Sequence, residues 1–196
     1  VQVSSERFDA GYYRRFYERV PVHTATSVGH LASGVMHLAA WWGIPIRSVL
    51  DIGAGPGLWR DWFRQEHPQV RYLSTDVSEY ACERYGHQQR DISVWAPRTQ
   101  SDLVVCQGVL QYLDNTAAGA AIKNLARATR HLLYLEVPTL HDREHVIDPA
   151  ATDLDCHWRS GNWYRQRLAP HFVQVGAGLW AHRHGAVRFY ELEHGR

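Results

Sequence analysis

From residue 46 onward the chain alternates between short, nearly all-apolar runs and longer stretches whose apolar residues recur every three or four positions. No other feature constrains the fold as much. A strand that is apolar on both sides must be covered on both faces, and helices between successive strands provide that cover in a parallel sheet. "RSVLDIG" (47–53) and "VRYLSTDV" (70–77) read as buried strands, "HQQRDIS" (87–93) as a weak third, the start of "SDLVVCQGVLQYL" (101–113) as a fourth and "RHLLYLEVPT" (130–139) as a fifth. Between them, "LWRDWFRQEH" (58–67) reads as a helix with Leu58, Trp62 and Phe63 inward, ended by Pro68. "SEYACERYG" (78–86) is a short helix that Ser78 can cap, and "NTAAGAAIKNLARAT" (115–129) is amphipathic. Two helices, over 8–19 and 24–42, precede the first strand. The second carries Val28, Leu31, Val35, Leu38 and Ala39 on one face and stops at Gly43-Ile44-Pro45. Crossovers between the parallel strands are expected to be right-handed.

The C-terminus breaks this rhythm. Residues 171–193 read as two antiparallel strands joined by a turn at His184-Gly185. The polar stretch before them, rich in His and Asp, is expected to form a substrate lid over 139–165, because long irregular segments in compact domains are usually functional. With 196 residues, the chain suits one domain, 1–196, whose first 45 residues form a helical cap. Lys plus Arg is 21 and Asp plus Glu is 20, a balance that argues against a nucleic-acid-binding surface. Cys82, Cys106 and Cys156 are widely spaced and read as free thiols of a reducing compartment. No apolar run is long enough to span a membrane, and the N-terminus lacks a signal-peptide core, so the expectation is a cytoplasmic protein, monomeric or homodimeric, without membrane or nucleic-acid partners. The 13 His and 8 Trp hint at a pocket for aromatic or polar organic molecules.

The first strand leads into "DIGAGPGLW" (51–59). Glycines after a strand let a ligand approach the free N–H groups of the next helix without a Cβ in the way. Their spacing here is G-x-G-x-G. A dinucleotide loop wants a third glycine where Leu58 stands, and a phosphate loop wants Lys and Ser/Thr after Gly57. Asp51, before the loop, is poor company for a pyrophosphate and good company for an ammonium group. Asp76 ends the second strand, where a carboxylate can accept both hydroxyls of a ribose. Asp91 ends the third, where it can accept from an exocyclic amine. Turn or cap roles are the plainer alternatives for both. Three carboxylates at successive strand ends mark the sheet edge where open α/β folds bind ligands.

In order, "VLDIGAGPG", "LSTDVS", "QRDIS", "SDLVVCQGVLQYL" and "LLYLEVP", followed by the terminal hairpin, resemble the class I S-adenosylmethionine-dependent methyltransferases over about residues 46–194. The resemblance implies a Rossmann-like, doubly wound seven-stranded α/β sheet in the order 3-2-1-4-5-7-6. It implies that Gly53, Gly55 and Gly57 wrap the methionine and adenosyl parts of S-adenosylmethionine and that Asp76, with Val77 beside it, holds the ribose. Asp91 and the Ile92 backbone would meet the adenine, Gln107 the methionine, and Asp51 the ammonium through water. The N-terminal helix with Tyr12, Tyr13 and Tyr17 would close over the cofactor, with Tyr13 in contact.

A sulfonium methyl is already activated, so such an enzyme mainly aligns a nucleophile and excludes water, with a general base where the nucleophile carries a proton. Candidates are Tyr112, standing where many relatives have His, and His145 and His157 on the lid. His141 and His145 stand four apart and "DLDCH" adds Asp153, Asp155 and His157, yet no closed ligand set emerges and no metal is expected. No "NPPY" or "DPPY" follows the fourth strand, no Pro-Cys pair is present, and no double-glutamate loop is visible. Those absences disfavour nucleic-acid bases and protein arginine as substrates. Trp158, Arg159, Trp163 and Tyr164 are expected on a pocket wall suited to a planar or carboxylated molecule. The resulting expectation is transfer of a methyl group to an O or N atom of a small organic molecule. The alternatives are a nicotinamide-dependent oxidoreductase and a non-catalytic S-adenosylmethionine-binding module.

Overall fold

A computed structural model describes residues 7–19 and 21–193; residues 1–6 of the expected cap, Val20 and the last three positions lie outside it. Seven strands form one sheet in the order β3-β2-β1-β4-β5-β7-β6, as the family resemblance implies. The strands are β1 (Ser48–Ile52), β2 (Arg71–Asp76), β3 (Gln88–Gln89), β4 (Ser101–Gln107), β5 (Thr129–Glu136), β6 (Phe172–Gly176) and β7 (Leu179–His182). The first five run parallel, with Leu50 beside Leu73 and Val104, while β7 is antiparallel to both β5 and β6. Their C-terminal ends therefore share one edge, and the glycine loop, Asp76, Asp91, Gln107 and Glu136 all lie along it.

Each face of the sheet has its own core. On one side α2 (Ala25–Trp41) and α3 (Leu58–Glu66) bring Val28, Val35, Trp59 and Phe63 against Val49, Leu103 and Leu132. The short α4 (Glu79–Tyr85), capped by Ser78, joins β2 to β3, and on the other face α5 (Asn115–Ala128) and α7 (Gly161–Leu168) bring Ile122, Leu125 and Leu168 against Leu50, Val104 and Leu133. Each such side chain contributes about 1.5–3 kcal/mol by leaving water. Because α2 lies on the sheet, only the segment before residue 24 stands over the strand ends as a cap. There α1 (Ala10–Tyr13), capped by Asp9, continues as a wider π-helical turn over Arg14–Arg19.

Three local expectations need correction. The hairpin turns at Ala177 and Gly178, both with positive φ (48° and 77°), and His184-Gly185 lies beyond β7. Leu135 N–H donates to Gly178 O at 2.8 Å, which locks this turn to β5. On α3, Trp59, Arg60 and Phe63 are buried while Leu58 and Trp62 are only partly covered, a small rotation from the expected face. The Trp59 indole N–H bond to Gln107 Oε1, 2.8 Å, sets that rotation. The third strand shrinks to two residues, because after Gln89 the chain turns and Asp91 accepts from Ser93 N–H at 2.8 Å. Within 139–165 a helix, α6 (Leu140–His145), forms because Thr139 and Asp142 make a reciprocal capping box.

Candidate active site

At the end of β1 the chain reverses through Gly53 (φ 67°), Gly55 (φ 56°) and Gly57 (φ 83°). Two of these glycines face the ligand side. A Cβ on Gly53 would meet Val109 Cγ2 at 2.3 Å, and one on Gly55 would meet the Tyr17 hydroxyl at 3.6 Å. Two buried groups brace the loop from below. Asp76 Oδ2 accepts from Gly55 N–H and Asp76 Oδ1 from Ser78 N–H, both at 2.9 Å. His87 joins Gly55 O through Nε2 (2.9 Å) and Ser74 Oγ through Nδ1 (2.8 Å). Burial lowers the His87 pKa, so the ring is neutral, with Nε2–H donating to Gly55 O and Nδ1 accepting from the serine. Burial raises the Asp76 pKa, and the N–H groups of Ser78 and Gly55 pull it back.

Three cavities open along this edge. The first, about 610 Å³, lies between the aromatic cap and Asp76, Val77, Asp91 and Ile92. The second, about 450 Å³, is bounded by Asp51, the glycine loop, Trp59 and Gln107. The third, about 930 Å³, lies between the cap, Glu136 and the 137–153 segment. Tyr17 and Gly108 line all three, so the cavities converge on one point between the cap and the end of β4.

Each cavity has a distinct polar group. In the first, Asp91 Oδ2 is buried and has no hydrogen-bond partner among the described residues. In the second, Asp51 accepts from the Tyr72 hydroxyl at 2.8 Å, and burial pushes its pKa up to about 7 against that bond. In the third, Glu136 Oε1 pairs with His23 Nε2 at 2.9 Å, while Oε2 accepts from Tyr134 Oη (2.9 Å) and Gln107 Nε2 (3.1 Å). Burial opposes the Glu136 charge, but the bond and charge of His23 outweigh it and hold the pKa below the usual carboxylate range.

The cap is tied down at several points. Tyr13 and Tyr17 stack at 5.2 Å, the Tyr12 and Tyr112 hydroxyls meet at 2.8 Å, and Ser78 Oγ donates to Phe8 O at 2.6 Å. Arg7 reaches Asp153 at 2.9 Å, linking the cap to the 139–165 segment.

Of the residues expected to meet a cofactor, Tyr13, Gly53, Gly55, Asp76, Val77, Asp91 and Ile92 line the first cavity, and Asp51 and Gln107 the second. Gly57 lines none of the three. It starts α3, and the Arg60 guanidinium lies where its Cβ would stand, 2.6 Å away. Tyr112 lines the first and third cavities, with its pKa raised by burial. His145 and His157 line none of them. His145 is exposed on α6, stacked on His141 at 4.3 Å, and His157 is exposed with its backbone N–H on Gln111 O. The capping box turns α6 so that its histidines face outward. No metal-binding group of side chains occurs among the described residues.

Arg159 also departs from expectation. Instead of a pocket wall, it is buried among Asn115 Oδ1 (2.7 Å), Leu110 O (3.1 Å), Leu113 O and Tyr164 Oη (3.0 Å), with Trp163 stacked on it. It anchors the 139–165 segment to the loop after β4. His23, Glu136, His87 and Gln111 were missed by the sequence reading. Only Glu136, the last residue of an apolar strand at the ligand edge, carried a signal that could have found it.

A family model described as a methyltransferase domain matches residues 25–193. The chain belongs to this family, within the class I S-adenosylmethionine-dependent methyltransferase superfamily. Among curated proteins, trans-aconitate 2-methyltransferase of Azoarcus sp. (strain BH72) is 27% identical over 156 residues, covering 68% of this chain and 59% of that protein. The chain thus spans about three-fifths of that relative's length. Magnesium protoporphyrin IX methyltransferase from Synechocystis PCC 6803, solved with bound SAM, superposes with a TM-score of 0.57 at 17% identity, covering 91% of each chain. The N-methyltransferase NodS from Bradyrhizobium japonicum WM9 also gives 0.57, at 16% identity, over 87% of this methyltransferase-family chain and 95% of its own.

Proposed function

We propose that this chain binds S-adenosylmethionine across the first two cavities and transfers its methyl group to an O or N atom of a small organic molecule held in the third. The observation that carries the reading is Asp91 Oδ2. A buried carboxylate oxygen without a donor is costly, and in the first cavity it faces the space where an exocyclic amine would satisfy it. Asp76 accepts backbone N–H groups from Gly55 and Ser78, and the further acceptor capacity of a carboxylate suits ribose hydroxyls. Asp51 offers the second cavity a carboxylate whose charge an ammonium group would favour. The cofactor supplies an activated methyl group on a sulfonium. The chain's own residues bind, orient and keep water out. Tyr17 and Gly108 mark the point where the three cavities meet, and the stacked cap covers it.

Tyr112 keeps its proton at neutral pH, because burial raises its pKa, and we assign it to positioning through its Tyr12 bond. His145 and His157 have no place at the junction. The third cavity is the most spacious of the three, which suits an acceptor of small-molecule size. The relatives named for trans-aconitate and magnesium protoporphyrin IX support an acceptor of that size class. Calorimetry with S-adenosylhomocysteine tests the reading. One-to-one binding is expected, weakened about 10–100-fold in Asp91→Ala, since a charged hydrogen bond is worth roughly 1.5–3 kcal/mol. No binding at millimolar ligand would end it.

A further inference from the structure

The third cavity has a wall chemistry that the reading above does not use. Among the described residues its ionisable side chains, apart from tyrosines, are the His23 imidazole and three carboxylates, Glu136, Asp142 and Asp153, and no lysine or arginine lines it. Two of the carboxylates are taken up locally. Asp142 accepts from Thr139 N–H at 2.8 Å and Thr139 Oγ1 at 2.7 Å, and Asp153 pairs with Arg7. Glu136 and His23 stand instead where the third cavity meets the second, because His23 lines both. A further acceptor lies nearby. Gln111 is buried, yet its Oε1 has no hydrogen-bond partner among the described residues. The rest of the wall is largely apolar, with Phe16, Val22, Val137 and Ile147.

We propose that this cavity selects an acceptor molecule that donates hydrogen bonds and carries no carboxylates: a hydroxyl or amine on an apolar body, received by Gln111 Oε1 and the His23–Glu136 pair. The inference rests on the third cavity being the acceptor site and adds the chemistry of what enters it. A polycarboxylate would meet like charge at Glu136, and among the described residues no lysine or arginine lines the wall to receive it, the nearby Arg7 being held by Asp153. A donor satisfies Gln111 Oε1, and an ammonium group is drawn to a wall that carries more carboxylates than cations.

The test is NMR titration of the full chain saturated with S-adenosylhomocysteine, using benzylamine, benzyl alcohol, benzoate and tricarballylate as probes. The His23 Cε1–Hε1 resonance, assigned by its disappearance in His23→Gln, reports on the site directly. Benzylamine and benzyl alcohol should move that resonance and bind at least about tenfold more tightly than benzoate, with tricarballylate leaving it in place. Glu136→Gln should cost the amine about tenfold, and Gln111→Leu should weaken amine and alcohol alike. Benzoate or tricarballylate binding as tightly as the amine overturns the proposal, and so does a His23 resonance that none of the four probes moves. Calorimetry on the same sample separates the two levels. Normal S-adenosylhomocysteine binding with a reversed probe order refutes the acceptor chemistry alone. Absent binding refutes the methyltransferase reading, and the probe order is then read on the free chain.

Discussion

Replacing Gly55 with alanine should separate ligand contact from fold stability. Gly55 has φ 56°, and an L-residue in that region costs about 1–2 kcal/mol. The new Cβ would lie 3.6 Å from the Tyr17 hydroxyl, an ordinary contact, so packing adds nothing further. For a domain of this size each kcal/mol moves Tm by roughly 2–4 °C, which predicts a drop of about 2–8 °C. Binding should suffer more. The added methyl stands between the glycine loop and Tyr17, on the wall shared by the first two cavities, where a ligand spanning both must pass. Overpacking by one methyl costs about 1–3 kcal/mol, so S-adenosylhomocysteine should bind roughly 5–150-fold more weakly. Gly57→Ala is the control. Its φ is 83° and its Cβ would meet only the far end of the Arg60 side chain, at 2.6 Å, outside all three cavities. It should lose similar stability and keep its affinity within about threefold. Scanning fluorimetry and calorimetry on both variants decide the matter. Equal affinity losses, or wild-type affinity in Gly55→Ala, would refute this division of roles.

Further outcomes follow from the same geometry. Burial pushes Asp51 up to about 7, above its unfolded value of about 3.9, so its contribution favours the folded chain at low pH and is lost as pH rises from about 4 through 7. An ammonium ligand reverses the preference, so S-adenosylhomocysteine affinity should rise between about pH 6 and 8; a profile that Asp51→Asn leaves unchanged would contradict this. Gly178→Ala would place a Cβ 2.8 Å from Tyr134 Cε2 and 3.2 Å from Leu135 O at φ 77°. Urea unfolding should show a loss of about 2–4 kcal/mol, and a loss below about 1 kcal/mol would disprove the packing argument. Arg159→Met strips donors from Leu110 O, Leu113 O, Asn115 Oδ1 and Tyr164 Oη and should cost about 2–4 kcal/mol of stability. If it left stability intact and weakened only acceptor binding, Arg159 would belong to the pocket wall after all.

The strands and the carboxylate edge were legible because they depend on local patterns, while the strand order followed from the resemblance to the methyltransferases. Apolar runs, helical spacing and the placement of Asp51, Asp76 and Asp91 at strand ends each sit within a few residues of one another. The glycine loop was legible for the same reason, apart from Gly57, whose partner Arg60 is set by the rotation of α3. What failed depends on groups far apart in the chain. His23 and Glu136 are separated by more than a hundred positions and meet only because the cap folds over β5. The expected roles of His145 and His157 rested on residue type, and a capping box between Thr139 and Asp142 decided which way α6 faces. Arg159 looked like a ligand-binding cation because its neighbours are aromatic. Four backbone and side-chain oxygens from the β4–α5 region and α7 draw it inward instead. The hairpin turn was misplaced because "VGAGL" was read as strand, although a Gly-Ala-Gly triplet readily supplies the positive φ that a tight turn requires.

The most direct test of the central claim is a crystal structure of this chain with S-adenosylhomocysteine. The account predicts adenine with its amine on Asp91 Oδ2, ribose hydroxyls on Asp76, the ammonium group near Asp51, and the sulfur at the point where Tyr17 and Gly108 join the three cavities. A ligand bound elsewhere, or one whose sulfur is walled off from the third cavity, would contradict it.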